Sequence, residues 1–306
     1  QIHLEPFTLR ECEQYANANN FGMSRRNILD TYMVLGGVPY YWQFLQKEYS
    51  PAQNISRLFF EKTSPLRNEF NALYASLFRN PRPYIAVITA LGTKKAGMMR
   101  SEIIEATGLN IGGKLTTILE ELEECNFIRS FYSIGKQKKD ILYQLIDNFT
   151  LFYFKFLANK HAFGINYWSQ MIIKPQYNAW SGLAFERVCF QHIEQIKRAL
   201  GISGIISNVF SWQYRPKDNN ETGTQIDMLI DRDDQVINVC EIKYSQGEYE
   251  LTENYEKTLQ NKVSTFVAHS GTKKRVSLMM ITSFGLRQNK WANNIPIQLT
   301  MDNLFE

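Results

Sequence analysis

The chain has 306 residues, of which 44% are hydrophobic and 21% charged. Such a length predicts two or three domains, and the composition excludes an intrinsically disordered chain. Lys and Arg exceed Asp and Glu by 34 to 30, too small a surplus to mark a nucleic-acid partner by charge alone, although it leaves room for a local basic patch.

Residues 8–80 alternate helical apolar periodicity with short breakers, which predicts an all-α region. Thr8 followed by Glu11 has the spacing of a capping box. Ser24 caps a second helix through Ile28, Tyr32 and Leu35, and Gly36-Gly37-Val38-Pro39 stops it. Asn80-Pro81-Arg82-Pro83 is a breaker cluster and the first expected domain boundary. Beyond it the pattern predicts helices over Tyr84 to Leu91, Arg100 to Thr107 and through Leu115, Ile118, Leu119 and Leu122. Two β-rich strips come next, Phe127 to Ile134 and Ile141 to Ile146, joined by the basic tip Gly135-Lys136-Gln137-Lys138-Lys139. Three helices and a hairpin are the order of a winged helix-turn-helix, here 81–147. Lys114, at the start of its third helix, and the tip lysines Lys136, Lys138 and Lys139 are the candidate phosphate contacts. Glu120, Glu121, Glu123 and Glu124 on the same helix would repel a duplex unless they face away.

Residues 148–178 are aromatic and read as a helical connector packing the winged unit against the C-terminal region. That last region, 179–306, opens with a helix from about Ala179 to Leu200. Strands are expected at Val209 to Tyr214, Thr224 to Asp231 and Gln235 to Tyr244, then a helix Leu251 to Ala268, a strand Arg275 to Thr282 and a last strand near Ile297. This mixture predicts an α/β domain around a mixed sheet.

The four cysteines, at 12, 125, 189 and 240, include no C-x-x-C pair, so they suit neither a zinc ribbon nor a disulfide scaffold, and a reducing cytoplasm is the expected setting. The histidines at 3, 161, 192 and 269 lack ligand spacing, and His192 and His269 read as structural. No run approaches the 18 or so apolar residues of a membrane helix, the opening Gln-Ile-His-Leu-Glu is not a signal peptide, and no membrane partner is expected. The missing initiator Met and the Ile-x-Leu opening suggest the interior of a longer polypeptide. Gly108 to Leu115 nearly spells a P-loop, but Leu115 replaces the Mg²⁺-binding hydroxyl and a helix rather than a strand precedes it.

The chemistry-bearing residues lie in the last region. Strand alternation puts Ile237, Val239, Glu241 and Lys243 on one face, which turns from apolar to charged near the strand's end. A turn at Asp231 to Asp234 sets Asp227 roughly opposite positions 238 to 240, near Glu241. Two converging carboxylates repel, and a hard divalent cation such as Mg²⁺ relieves that repulsion. On the preceding helix, Glu186 interrupts the stripe Leu183, Phe190, Ile193, so its carboxylate needs a partner, the metal site or an adjacent lysine. Alone, E-x-K is more often a solvated strand face than a site; the ordered combination is the stronger signal.

Glu186, then Asp227, then Glu241-Ile242-Lys243 on consecutive strands resembles the PD-(D/E)XK nuclease superfamily over roughly 179–306, with Ile226 in place of the motif's proline. The resemblance implies a restriction-endonuclease-like domain in which Asp227 and Glu241 hold Mg²⁺. By the same resemblance Lys243 orients the attacking water and Glu186 completes the site. Nearly the whole chain is similar to the C-terminal portion of a prokaryotic AAA-type ATPase family with a winged helix and a nuclease-like tail. Leu4-Glu5-Pro6-Phe7-Thr8 to Glu11, Leu35-Gly36-Gly37-Val38-Pro39-Tyr40-Tyr41, Ser101-Glu102-Ile103, Gly108-Leu109 and Phe185-Glu186 carry this likeness. It implies that 1–80 is the helical ATPase lid, that ATP is bound only through a P-loop domain upstream of Gln1, and that this chain alone hydrolyses no ATP. Two functions are then expected. One is Mg²⁺-dependent phosphodiester hydrolysis of DNA. The other is a catalytically silent module that binds DNA or a partner protein, with a homo-oligomer as a further assembly.

Overall fold

The computed structural model describes residues 5–109, 112–132, 141–158, 166–214, 216 and 223–306. The chain is mixed α and β and divides into two compact units, residues 1–130 with 142–187, and residues 131–141 with 188–306.

In the first unit the N-terminal helices are α1 (Leu9–Ala18), α2 (Arg25–Leu35), α3 (Pro39–Trp42), α4 (Pro51–Phe59) and α5 (Glu69–Leu77). Thr8 and Glu11 form the reciprocal capping box expected of them, and Ser24 caps α2 on Asn27 N–H. Next come α6 (Pro81–Gly92), the short strand β1 (Met98–Met99), α7 (Arg100–Thr107), α8 (Gly113–Glu124), β2 (Ile128–Phe131) and β3 (Leu142–Leu145). The strands make a three-stranded sheet in the order β1-β3-β2, with β1 antiparallel to β3. Two residues are too short a strand for periodicity to reveal, and β1 exists because β3 offers it an edge. The breaker cluster at 80–83 lies between α5 and α6 and also begins the second of them, since Pro81 sits in the first turn of α6, where a missing N–H costs nothing.

The aromatic segment holds α9 (Asn148–Phe152), a π-helical turn Tyr153–Leu157, α10 (Tyr167–Met171) and α11 (Pro175–Gln191). Its rings knit this unit together. Phe149 and Phe152 lie against Phe59, Tyr153 stacks on Phe70 at 3.9 Å, and Trp168 contacts Phe60, Phe152, Phe156 and Trp180. The segment therefore packs on α4 and α5 of its own unit.

In the second unit α12 (Ile193–Ala199) precedes β4 (Ser207–Tyr214), β5 (Thr224–Arg232), β6 (Val236–Lys243), α13 (Glu253–Ser270), β7 (Arg275–Thr282) and β8 (Ile297–Thr300). The helix expected at 179–200 starts instead at Pro175 and breaks at His192. The five-stranded sheet runs β4-β5-β6-β7-β8, antiparallel through β6 and parallel from β6 to β8. Helix α13 makes the crossover between the parallel neighbours β6 and β7, as parallel pairing demands. Leu251 and Leu259 bury against Met280, Leu286, Ala292 and Ile295, which fixes α13 over the sheet face that carries Met280. Among the described residues no helix is long and apolar enough to cross a membrane.

Candidate functional site

Strand pairing sets the site. Met228 lies opposite Cys240 and Asp231 opposite Ile237, so one step further in the same register brings Asp227 level with Glu241 rather than with 238–240. Antiparallel pairing ends there, and the Asp227 Oδ2 accepts from Ile242 N–H at 3.1 Å. Asp227 is buried, and so is Glu241 at 2% exposure.

On β7, Met280 is the parallel partner of Glu241. The two share a face, the one that α13 covers, so Glu241 is buried beneath a helix rather than opened to solvent. Its partners come from two elements. Lys243 donates to Oε1 at 2.8 Å, Tyr255 O–H to Oε1 at 2.5 Å, and Lys262 to Oε2 at 2.6 Å. The ammonium of Lys243 also lies 5.3 Å from the centre of the Tyr255 ring. Burial pushes the Glu241 carboxyl up, but Lys243 and Lys262 together outweigh it and leave the group below the usual carboxylate range. Burial pulls Lys243 down, yet Glu241 and Tyr255 more than reverse this, so its ammonium is held protonated. Burial and then Glu241 raise the Tyr255 phenol, which stays a donor.

Glu186 belongs to the other unit. It is 7% exposed and pairs with Lys95 at 2.6 Å, while the neighbouring Arg187 donates to Lys95 O at 2.8 Å. Its partner is thus a lysine from the loop after α6. Lys114 is exposed near the start of α8, where it lines a cavity of about 550 Å³ together with Arg79, Glu121 and Glu124. Glu121 accepts from Tyr84 O–H and Glu123 from Ser130 N–H, so two of the four helix acids are occupied locally. Lys136, Lys138 and Lys139 lie outside the described residues.

A divalent cation does not fit the donors as they stand. Both Glu241 oxygens already face ammonium groups, the Oδ2 of Asp227 holds a backbone N–H, and among the described residues no three His, Cys, Asp or Glu side chains gather closely enough to hold a metal. A cation placed on Glu241 would meet two like charges within ordinary ion-pair distance, which only displacement of a lysine relieves. What the cluster does instead is balance a buried carboxylate internally, at the C-terminal end of β6.

Lys262, Tyr255 and Lys95 were not anticipated from the sequence. Lys262 had a readable signal: Tyr255, Leu259, Lys262 and Phe266 form one helical stripe, which the lysine interrupts just as Glu186 interrupts its own. Lys95 had none, because its meeting with Glu186 spans 91 positions.

No family model matches the chain, and no curated protein matches it.

Proposed function

We propose that the chain is the C-terminal part of an AAA-type ATPase, with a winged helix-turn-helix and a PD-(D/E)XK-like last domain that binds DNA without cutting it. The observation that carries the silent reading is the occupied Glu241, both of whose oxygens are taken by Lys243, Tyr255 and Lys262. A hydrolytic site of this type needs that carboxylate for a metal ion. The architecture supports the domain assignments: α6, α7 and α8 lead into the β2–β3 pair, and the acid and the E-x-K triplet fall on consecutive strands of a mixed sheet. The exposed Lys114 and the resemblance to the ATPase family support DNA as the partner.

The test is one incubation of the whole chain with supercoiled plasmid and Mg²⁺ or Mn²⁺, beside Asp227→Ala and Lys243→Ala, with retention of duplex DNA measured against salt. The expected result is retention that falls steeply with salt and no cleavage above that of the variants. Cleavage by the wild type that both variants lose would instead establish the hydrolytic function. Absence of any salt-dependent retention would leave protein docking as the role.

A further inference from the structure

The cleft that Lys114 lines lies wholly in the first unit, between one face of α8 and the corner where α5 passes into α6. Its volume of about 550 Å³ is that of a small-ligand site. Lys114, Ile118, Glu121 and Cys125 follow one another at spacings of four, three and four, so they form a single stripe along α8, with Glu124 near its far end. Phe78 and Tyr84 line the cleft from the α5–α6 corner, their rings stacked at 3.9 Å, and the Tyr84 hydroxyl donates to Glu121. Leu77, 48% exposed, adds an apolar rim. Along the stripe an apolar stretch therefore separates a basic end from an acidic one, and the α8 dipole has the same sense, positive beside Lys114. At 1.5 Å per residue Lys114 lies roughly 10 Å from Glu121 and roughly 15 Å from Glu124 along the axis. Those separations exceed the screening length of about 8 Å at physiological salt, so each end attracts its own counter-charge. The side chains of Arg79, Lys114 and Glu124, which all line the cleft, make no hydrogen bond or ion pair among the described residues.

We propose that this cleft binds a short peptide with free ends, its carboxylate beside Lys114, its apolar side chains along Leu77, Phe78, Tyr84 and Ile118, and its ammonium beside Glu121 and Glu124. The dimensions agree. An extended chain advances about 3.3 Å per residue, so four residues set the two terminal charges about 13 Å apart. Both termini are charged at neutral pH. Charge-assisted hydrogen bonds at the two ends fix the direction of the chain, and the apolar wall supplies the burial. A ligand with an anionic end alone would leave the acidic end of the cleft unanswered. The site goes beyond the DNA reading and does not rest on it, although Lys114 serves both.

The experiment takes the whole chain and, as probe, the tetrapeptide Ala-Leu-Phe-Ala with free ends, N-acetylated, C-amidated or blocked at both ends. Calorimetric titration at neutral pH measures binding, and its place is read from Cys125, which lines the cleft and is exposed while Cys12, Cys189 and Cys240 are fully buried. The free-ended peptide is expected to bind one per chain and to slow maleimide modification of Cys125, and either block should weaken binding at least about tenfold. Lys114→Glu should erase the advantage of the free carboxylate over the amide, and Glu124→Lys that of the free ammonium over the acetyl form. No binding up to about 10 mM peptide overturns the proposal. Equal binding by the doubly blocked form, dependence on one end only, charge reversals without effect, or binding that leaves Cys125 unprotected overturns it as well. Both reversed positions are exposed, and circular dichroism checks each fold; where a reversal unfolds the chain, Gln at that position carries the same comparison. If no variant folds, the four peptides on wild type, with Cys125 protection, decide. Failure of DNA retention would remove the proposed function while leaving this result standing, and absent peptide binding would do the reverse.

Discussion

His192 shows how a single buried group makes stability depend on pH. It is 1% exposed at the break between α11 and α12, with its Nδ1 2.9 Å from Val188 O. Burial pulls its pKa down to about 4, against a smaller upward pull from that carbonyl. The imidazole is therefore neutral when folded, and the unfolded chain takes up the proton first. Below pH 6.5 the unfolded state binds more protons than the native one, so stability falls as pH falls from about 6.5 towards about 4 and levels off beneath. The expected loss is about 2 kcal/mol at pH 5 and about 3 kcal/mol once both states are protonated. Urea unfolding at a series of pH values, compared with His192→Gln, measures it. The difference between the two proteins should be flat above pH 7, and a flat difference down to pH 4 would show that the ring is charged in the folded state. The sequence reads His192 as structural because no ligand spacing surrounds it, whereas the helix break at which it is buried appears only in the fold.

At the scale of elements, the end of α2 separates two adjacent glycines by what they do. Gly36 caps the helix at φ +62°, and a methyl group there would reach nothing nearer than 3.9 Å. Gly37 has no such backbone demand, yet a Cβ on it would lie 1.9 Å from Phe7 O and 2.7 Å from Phe7 N, because Phe7 N–H donates to Gly37 O at 2.7 Å. Gly36→Ala should cost about 1 to 3 kcal/mol, because φ +62° with ψ −165° is a conformation that only glycine adopts readily, and Gly37→Ala more, about 3 kcal/mol or above, since backbone must move. Chemical denaturation of both variants checks the order, and equal losses would contradict the close approach. The helix stop, both capping signals and every strand of the five-stranded sheet were legible in the sequence, because each rests on neighbours a few residues apart. The approach of Phe7 to Gly37, the pairing of β1 with β3 and the covering of Glu241 by α13 were not, because each is set by chain segments far apart in sequence. The candidate site divides along the same line. The hairpin and strand alternation set Asp227, Glu241 and Lys243 at one end of β5 and β6 and make the Lys243–Glu241 pair, whereas the Lys262 ion pair and the Tyr255 hydrogen bond on Glu241 depend on which face a distant helix lands on.

At the scale of the whole molecule, the division into two compact units makes these local effects separable. Each unit has its own buried core, the first around Phe59, Phe152 and Trp168, the second around the five-stranded sheet with Leu259 and Phe266. Units with separate cores unfold as separate cooperative transitions when few contacts tie them, and a chain of this length is beyond the range where one transition is the rule. Gly37 and Phe7 belong to the first unit, His192 and its Val188 partner to the second. Calorimetry is therefore expected to resolve two transitions. Gly37→Ala should lower one midpoint at every pH, by several degrees. Acidification from pH 7 to 5 should lower the other in wild type by more than it does in His192→Gln. A single transition on which both perturbations act together would mean that the two cores fold as one cooperative body. The functional consequence would then change as well, because an occupied Glu241 in a separately folding unit affects DNA retention only through that unit, whereas in one cooperative body it would also set the stability of the surface that presents Lys114.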